Sequence, residues 1–374
     1  MMEQESILGY KKLEVKRVRK ADEEIIDLLK ATVLGSEGGM RYSMQNTEER
    51  VRSYGDGLSF MALYKKSSLM GVIGACRRAT LNRGVRLDSV YLRYLAIQSA
   101  FQTEKAPGRR KVRLSQAADS FKQQILSVIR DPQHVTGEDN AGTASHVMYA
   151  YVESSNERSR NMVNQAGYEY IRSFLTVAFS RFSPKPDQSV TRLKPDEEPA
   201  IAQLLKEQYR DYCFYTDEFS FNDHRYYVLR RNGEIVAGAG AIPAQYKVVN
   251  MPGIWGWLMM KVLPYTPWFR RLFRPQEFRY VILNAIYCRK GSEDLLPDLF
   301  EAVCAGEGYN TALTWLDDHS ELYETLRTNR RMGALNRMLN AKPGLVYALF
   351  TGLSAEETEK FYDSPAYISG FDFS

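Results

Sequence analysis

Glu153 closes an alternating run, HVMYAYVE (146–153), in which Tyr149, Tyr151 and Glu153 share one face of a strand. A carboxylate and two phenols on one face are groups that accept, hold and donate protons. Further back, Gly108-Arg109-Arg110-Lys111, with Arg113 beyond, sets a flexible residue before a dense positive charge. Such a tract can hold phosphate by charge, although most charge runs are the solvated start of a helix. Other chemistries find no support. His134, His146, His224 and His319 have no metal-ligand spacing, and no Gly-x-Ser-x-Gly elbow or phosphate-binding Gly-x-x-x-x-Gly-Lys loop is present. Cys76, Cys213, Cys288 and Cys304 lie far apart with no Cys-x-x-Cys pair, which reads as reduced, buried thiols in a cytoplasmic protein.

The elements around Glu153 follow from local signals. The strand ends, Ser154-Ser155-Asn156 supplies capping groups, a short polar helix carries Met162 and Val163, and Gly167 stops it. Tyr168, Tyr170, Leu175, Val177 and Phe179 then follow in the alternation of a second strand. Strand, capped helix, glycine and aromatic strand thus fit within residues 147–182.

The spacing Asn156, Ser159, Met162, Val163, Gly167, Tyr168 resembles the second half of the Gcn5-related N-acetyltransferase fold. That family shows Asn, a small residue at i+3, an apolar one at i+6, often Tyr at i+7, Gly at i+11 and an aromatic at i+12. Val163 stands where many members carry the tyrosine that protonates the leaving thiolate. The resemblance implies acetyl-CoA, or another acyl-CoA, as donor substrate, lying between two splayed strands, with Asn156 near it. In the family a loop reading Gln or Arg, x, x, Gly, x, Gly or Ala presents backbone N–H groups to the pyrophosphate. Here Gln102 is kept, Lys105 and Pro107 replace the small residues, and Gly108 comes one place late. Proline has no N–H to give, so Arg109 and Arg110 beside Gly108 are the expected phosphate contacts.

Acyl transfer to an amine needs a base for an ammonium whose free pKa is about 10.4, an acid for the thiolate, and an N–H for the thioester carbonyl. The resemblance assigns the N–H to the backbone from Leu95 to Ile97. Glu153, at the end of its strand, is the expected base, with Asp88 at the start of the central strand the other candidate, because Tyr94 occupies a place where the family often has an acid. Tyr151, along with Tyr149 and Tyr91, could replace the missing acid. Leu322-Tyr323 resembles the family's Leu-Tyr pair, so Tyr323 is a second candidate, against the ordinary reading of a buried helix tyrosine.

Along the chain, residues 13–182 give the order β, α, α, β, β, β, α, β, α, β. Residues 13–19 and 88–98 are strands, 58–65 and 69–77 a hairpin, and 114–128 an amphipathic helix. Ser183-Pro184-Lys185-Pro186-Asp187 excludes helix and paired strand, which marks 183–188 as a linker. VTRLKPDEEPAIAQLLK (190–206) then echoes VKRVRKADEEIIDLLK (15–30). Strands over 278–288 and 309–316 continue the echo, with Ala237 and Gly240 in the places of Gly71 and Gly74. The expected fold class is therefore α/β (α+β): two tandem GNAT-like acyltransferase domains, 1–182 and 189–374, each a mixed, mainly antiparallel sheet flanked by helices.

An aromatic insertion, 243–276, holds Trp255, Trp257 and Trp268. It reads first as a plug between the halves or over a sheet edge. A lipid-facing lip rimmed by Arg270, Arg271 and Arg274, or a homodimer interface, are the alternatives.

A chain of 374 residues suits two domains, and 44% hydrophobic with 25% charged residues is a globular composition. Fifty basic against 45 acidic side chains leave a net charge of +5, too small to demand a nucleic-acid partner. No signal peptide or membrane span is evident. The sequence thus points to an acyl-CoA-dependent N-acetyltransferase acting on a small-molecule or peptide amine. An aminoacyl-tRNA-dependent transferase of the same fold, or a binding protein that has lost the chemistry, stand as alternatives.

Overall fold

The computed structural model describes residues 4–10, 12–35, 39–98, 123, 125–137, 145–339 and 342–374. Up to the 183–188 segment the elements are β1 (Gln4–Tyr10), β2 (Leu13–Val18), α1 (Glu23–Ala31), β3 (Arg41–Met44), α2 (Thr47–Ser53), β4 (Leu58–Lys65), β5 (Ser68–Asn82), β6 (Val85–Ile97), α3 (Pro132–Thr136), β7 (His146–Glu153), α4 (Glu157–Gln165) and β8 (Glu169–Ser180). Beyond it come β9 (Val190–Arg192), α5 (Glu198–Gln208), β10 (Tyr226–Arg231), β11 (Glu234–Asn250), α6 (Gly253–Lys261), β12 (Phe278–Cys288), α7 (Leu296–Glu307), β13 (Thr311–Asp317), α8 (Glu321–Thr328), α9 (Ala334–Met338), β14 (Gly344–Thr351) and α10 (Ala355–Asp363).

Local chemistry sets the helix ends. Asp22 accepts a hydrogen bond from the Ile25 N–H at 2.9 Å, Glu23 and Glu24 fill the first turn, and Ile25, Ile26 and Leu29 turn inward. Asn156 does the same for α4, accepting from Ser159 N–H at 3.0 Å, and Gly167 leaves that helix with a φ of +82°.

The strands join one mixed, mainly antiparallel sheet. Among the described residues its order is β1-β2-β4-β5-β6-β7-β14-β8-β13-β12-β11-β10-β9, with β3 added to β11. The sheet therefore runs without a break from one half of the chain to the other. The crossing is reciprocal. β14, from the end of the chain, pairs with β7 along its whole length, Gly344 opposite Glu153 and Thr351 opposite His146. β8, from the first half, pairs with β13 from Thr311–Ser180 to Asp317–Phe174. One core cluster accordingly draws on both halves, with Tyr149, Phe174, Phe214, Tyr280 and Phe371 all buried in it. Helix α4 and helix α7 cover separate clusters, through Val163 with Met148 and Ala150, and Phe300 with Ile286 and Val177.

Several elements run longer than the sequence suggests. β5 continues through Arg78, Thr80 and Asn82, and β6 begins at Val85, because those polar side chains find partners inside: Thr80 pairs with Ser89 at 2.6 Å and Arg78 with Asp372. The first residues of the aromatic insertion, 243–250, belong to β11, paired with β12 and β3. Gly71 lets β6 approach closely, since a Cβ there would stand 2.9 Å from the Ala96 carbonyl oxygen.

Candidate functional site

The parallel pair β6 and β7 stays in register only from Asp88–His146 to Leu92–Ala150. Beyond that point β6 runs on to Ile97 and β7 to Glu153, and the two part. The cause lies in β6. Tyr94 has a φ of +54°, and the register with β5 slips between Gly74–Arg93 and Val72–Ala96, leaving Tyr94 and Leu95 in neither ladder. A bulge of this kind bends one strand away from its neighbour. The result is a wedge whose β6 wall carries peptide groups outside the sheet's own hydrogen bonding, the kind of edge an extended ligand can use.

On one face of the wedge the side chains are aromatic and charged. Tyr91, Tyr149 and Tyr151 meet with ring centroids 4.8–5.8 Å apart. The Arg93 guanidinium lies 3.9 Å from the centre of the Tyr94 ring and donates to the Tyr54 hydroxyl. Behind them Arg78 forms a buried bidentate pair with Asp372, and Arg78 also lies 5.0 Å over Tyr91. The turn at 370–373 lines the same space: Phe373 stacks on Trp315 at 4.1 Å and lies parallel to Tyr151 at 5.7 Å, and Phe371 stacks on Phe219 at 3.9 Å. At the open end Tyr42 stacks on Tyr246 at 4.4 Å.

Burial governs the acid–base character of these groups. It pushes the Tyr94 phenol up to about 12, with Arg93 opposing, and the Cys76 thiol likewise to about 12. Tyr54, Tyr91 and Tyr151 are also held above the ordinary phenol range by burial. Tyr42 is held above the ordinary phenol range by burial first, with Tyr246 and Glu153 adding to it. Phenols raised in this way remain protonated at neutral pH, so they offer O–H donors and not bases.

The structure brings four of the sequence-predicted residues to the walls of the wedge. Leu95 and Ile97 are on its β6 wall, and Tyr151 and Glu153 are on β7. Glu153 is partly exposed, with an oxygen accepting from the Ser155 hydroxyl at 2.9 Å. Asn156 follows immediately, but its side-chain oxygen is engaged in capping α4. Tyr323 stands apart: it is buried on α8 among the α7-side residues, with Arg327 over its ring. Gln102, Gly108, Arg109 and Arg110, with Lys105, Pro107, Lys111 and Arg113, lie outside the described residues.

Sequence reasoning missed Arg78, Arg93, Tyr54 and Asp372. Arg93 left a signal, a charge inside the apolar run Tyr91-Leu92-Arg93-Tyr94. Asp372 left none, because its partner is 294 residues away.

No protein-family model matches the sequence. No curated protein matches it. Solved structures do match in shape. Saccharomyces cerevisiae N-myristoyltransferase with bound myristoyl-CoA aligns with a TM-score of 0.53 at 9% identity, covering 97% of this chain and 91% of that one. A second structure of that enzyme with bound myristoyl-CoA gives 0.53 at 10% identity over 97% and 86%. A GCN5-related N-acetyltransferase from Sphaerobacter thermophilus gives 0.45 at 12% identity over 81% and 85%. At such identities the likeness to the first two is one of fold alone.

Proposed function

We propose, from the premise that this chain has the Gcn5-related N-acetyltransferase fold, that it transfers an acyl group from an acyl-CoA to an amine. The wedge between β6 and β7 supports this reading most directly, because the bulge at Tyr94-Leu95 leaves peptide groups available to an extended thioester ligand. In this reading the chain comprises two copies of the fold, 1–182 and 189–374, joined by 183–188, and the first copy holds the donor.

Each residue then has a task. A backbone N–H in the segment from Leu95 to Ile97 polarises the thioester carbonyl as charge develops on its oxygen. Glu153, at the mouth, receives the ammonium of the acceptor and helps remove its proton. Tyr151, kept protonated by burial, offers its O–H toward the departing thiolate, and Tyr323 serves any second site on the other copy. Gln102, Gly108, Arg109 and Arg110 hold the pyrophosphate, and the α4 N-terminus at Asn156 adds a favourable dipole. The acceptor is a small-molecule or peptide amine. Acetyl-CoA is the first donor to test, and the myristoyl-CoA bound by the yeast enzyme makes a longer acyl-CoA the second.

Calorimetric titration of the purified chain with acetyl-CoA and with a long-chain acyl-CoA tests the reading, alongside Arg109→Glu/Arg110→Glu. Saturable binding weakened in the variant is the expected result, followed by thiol release when amines are supplied. No binding of either donor at millimolar concentration sinks the proposal.

A further inference from the structure

The chain carries no Asp or Glu between Ile235 and Gln276, yet this stretch holds Lys247, Lys261, Arg270, Arg271 and Arg274. The same stretch contains the most exposed apolar side chains among the described residues. Ile254 is 80% exposed, Trp257 58%, Tyr265 83% and Trp268 71%. Met259, Phe269, Leu272 and Phe273 are buried in the core shared by the two halves, so the segment is anchored from beneath while its outer surface stays apolar. Soluble surfaces rarely keep so many large apolar groups together in water.

Charge sits beside that surface in a built recess. Arg270, Arg271, Arg274 and Arg279 line it with Tyr309 and a single carboxylate, Glu277. Arg279 lies 5.1 Å over the Tyr309 ring. Among the described residues none of these four arginines forms an ion pair, whereas Arg181, Arg192 and Arg225 all do. Guanidinium groups that are not ion-paired, gathered around a concavity, fit phosphate oxygens.

We propose that α6 and the turns following it, through residue 274, dock this protein onto a bilayer of anionic phospholipid. Tryptophan and tyrosine rings settle at the level of the headgroups, with an apolar body below and a polar atom in the wet layer. Ile254 and Val262 enter the acyl boundary, and the arginines meet the phosphates. α6 is nine residues long, too short to cross the hydrocarbon, so it lies in the plane of the surface. RNA would also attract the arginines and stack on Trp257 and Trp268. It offers nothing, however, to an aliphatic side chain as exposed as Ile254, which favours lipid.

The test uses the full chain without any acyl-CoA, so its result is independent of the proposed transfer activity. The probes are sucrose-loaded vesicles of phosphatidylcholine with phosphatidylglycerol, and of phosphatidylcholine alone, read by co-sedimentation at low and high salt. Binding to the anionic vesicles with a blue shift of tryptophan emission, weakened by salt, is expected. Ile254→Ser/Trp257→Ser/Trp268→Ser should lower the partition coefficient about tenfold or more, and Arg270→Gln/Arg271→Gln/Arg274→Gln should remove its salt dependence. These side chains are exposed, and unchanged circular dichroism checks that both variants fold. Absence of wild-type binding, equal binding by the variants, or binding of tRNA in place of vesicles overturns the proposal.

Discussion

Arg78 on β5 and Asp372 near the end of the chain form a bidentate ion pair, with N–O distances of 3.0 and 2.8 Å and side-chain exposures of 2 and 0%. The Tyr54 hydroxyl adds a third contact to the same carboxylate at 3.3 Å. This pair fastens the turn at 370–373 against the first-half strands, and with it the Phe371 and Phe373 rings that fill the space beside the wedge.

Removing one partner leaves a buried charge alone. Arg78→Met or Asp372→Asn should each cost about 3–5 kcal/mol of stability in urea unfolding, whereas Arg78→Met/Asp372→Leu should recover a substantial part. A loss below about 1 kcal/mol in either single variant would show that this pair is solvated in the protein.

Glu153→Gln should lower kcat on the order of a hundredfold while leaving the acyl-CoA dissociation constant unchanged, because only proton removal from the acceptor is lost. Tyr151→Phe should lower kcat in the same assay and Tyr323→Phe should leave it intact, given the separate core in which Tyr323 sits. An inactive Tyr323 variant with an active Tyr151 variant would move the chemistry to the second half.

Asn156→Ala removes the hydrogen bond to Ser159 N–H and should cost about 1 kcal/mol. A thermal melt measures it. If acyl-CoA affinity falls while the melt is unchanged, the side chain serves the ligand and not the helix.

Alkaline pH should unfold the protein earlier than a chain with exposed phenols and thiols. Burial raises the Cys76, Cys213 and Cys304 thiols from 9.0 to about 12, and Tyr91, Tyr209 and Tyr226 above 10.0. Below pH 9 both states hold these protons and stability is unaffected. As pH rises from 9 toward 12 the unfolded chain releases them first, and stability falls. A flat urea midpoint from pH 8 to pH 11 would contradict this, as would fast thiol labelling of the folded protein at pH 9.

Elements whose signals are local are legible in the amino-acid order. Asp22 and Asn156 announce helix starts, Gly167 a helix end and Asn232-Gly233 a hairpin, and the strand Phe278–Cys288 is legible to the residue. At the site, Tyr151, Glu153 and Asn156 fall together because they belong to consecutive elements of one recognisable unit, whereas Leu95 and Ile97 come beside them through the parallel pairing of β6 with β7. Strands β5 and β6, read as 69–77 and 88–98, come out too short at their facing ends for the opposite reason. Arg78, Thr80 and Asn82 look like surface residues until Asp372, Ser89 and Phe214 are brought to them, and Phe214 and Asp372 come from the other half of the chain.

Periodicity, caps and glycines act within a few residues, so the run of elements and the capped unit around Glu153 are written in the chain itself. The entry of β14 between β7 and β8 is not. Neither is the merging of strands from both halves into one sheet, nor the meeting of Asp372 with Arg78. Strand neighbours and buried ion pairs are chosen by shape and desolvation across hundreds of residues, and no local pattern records that choice.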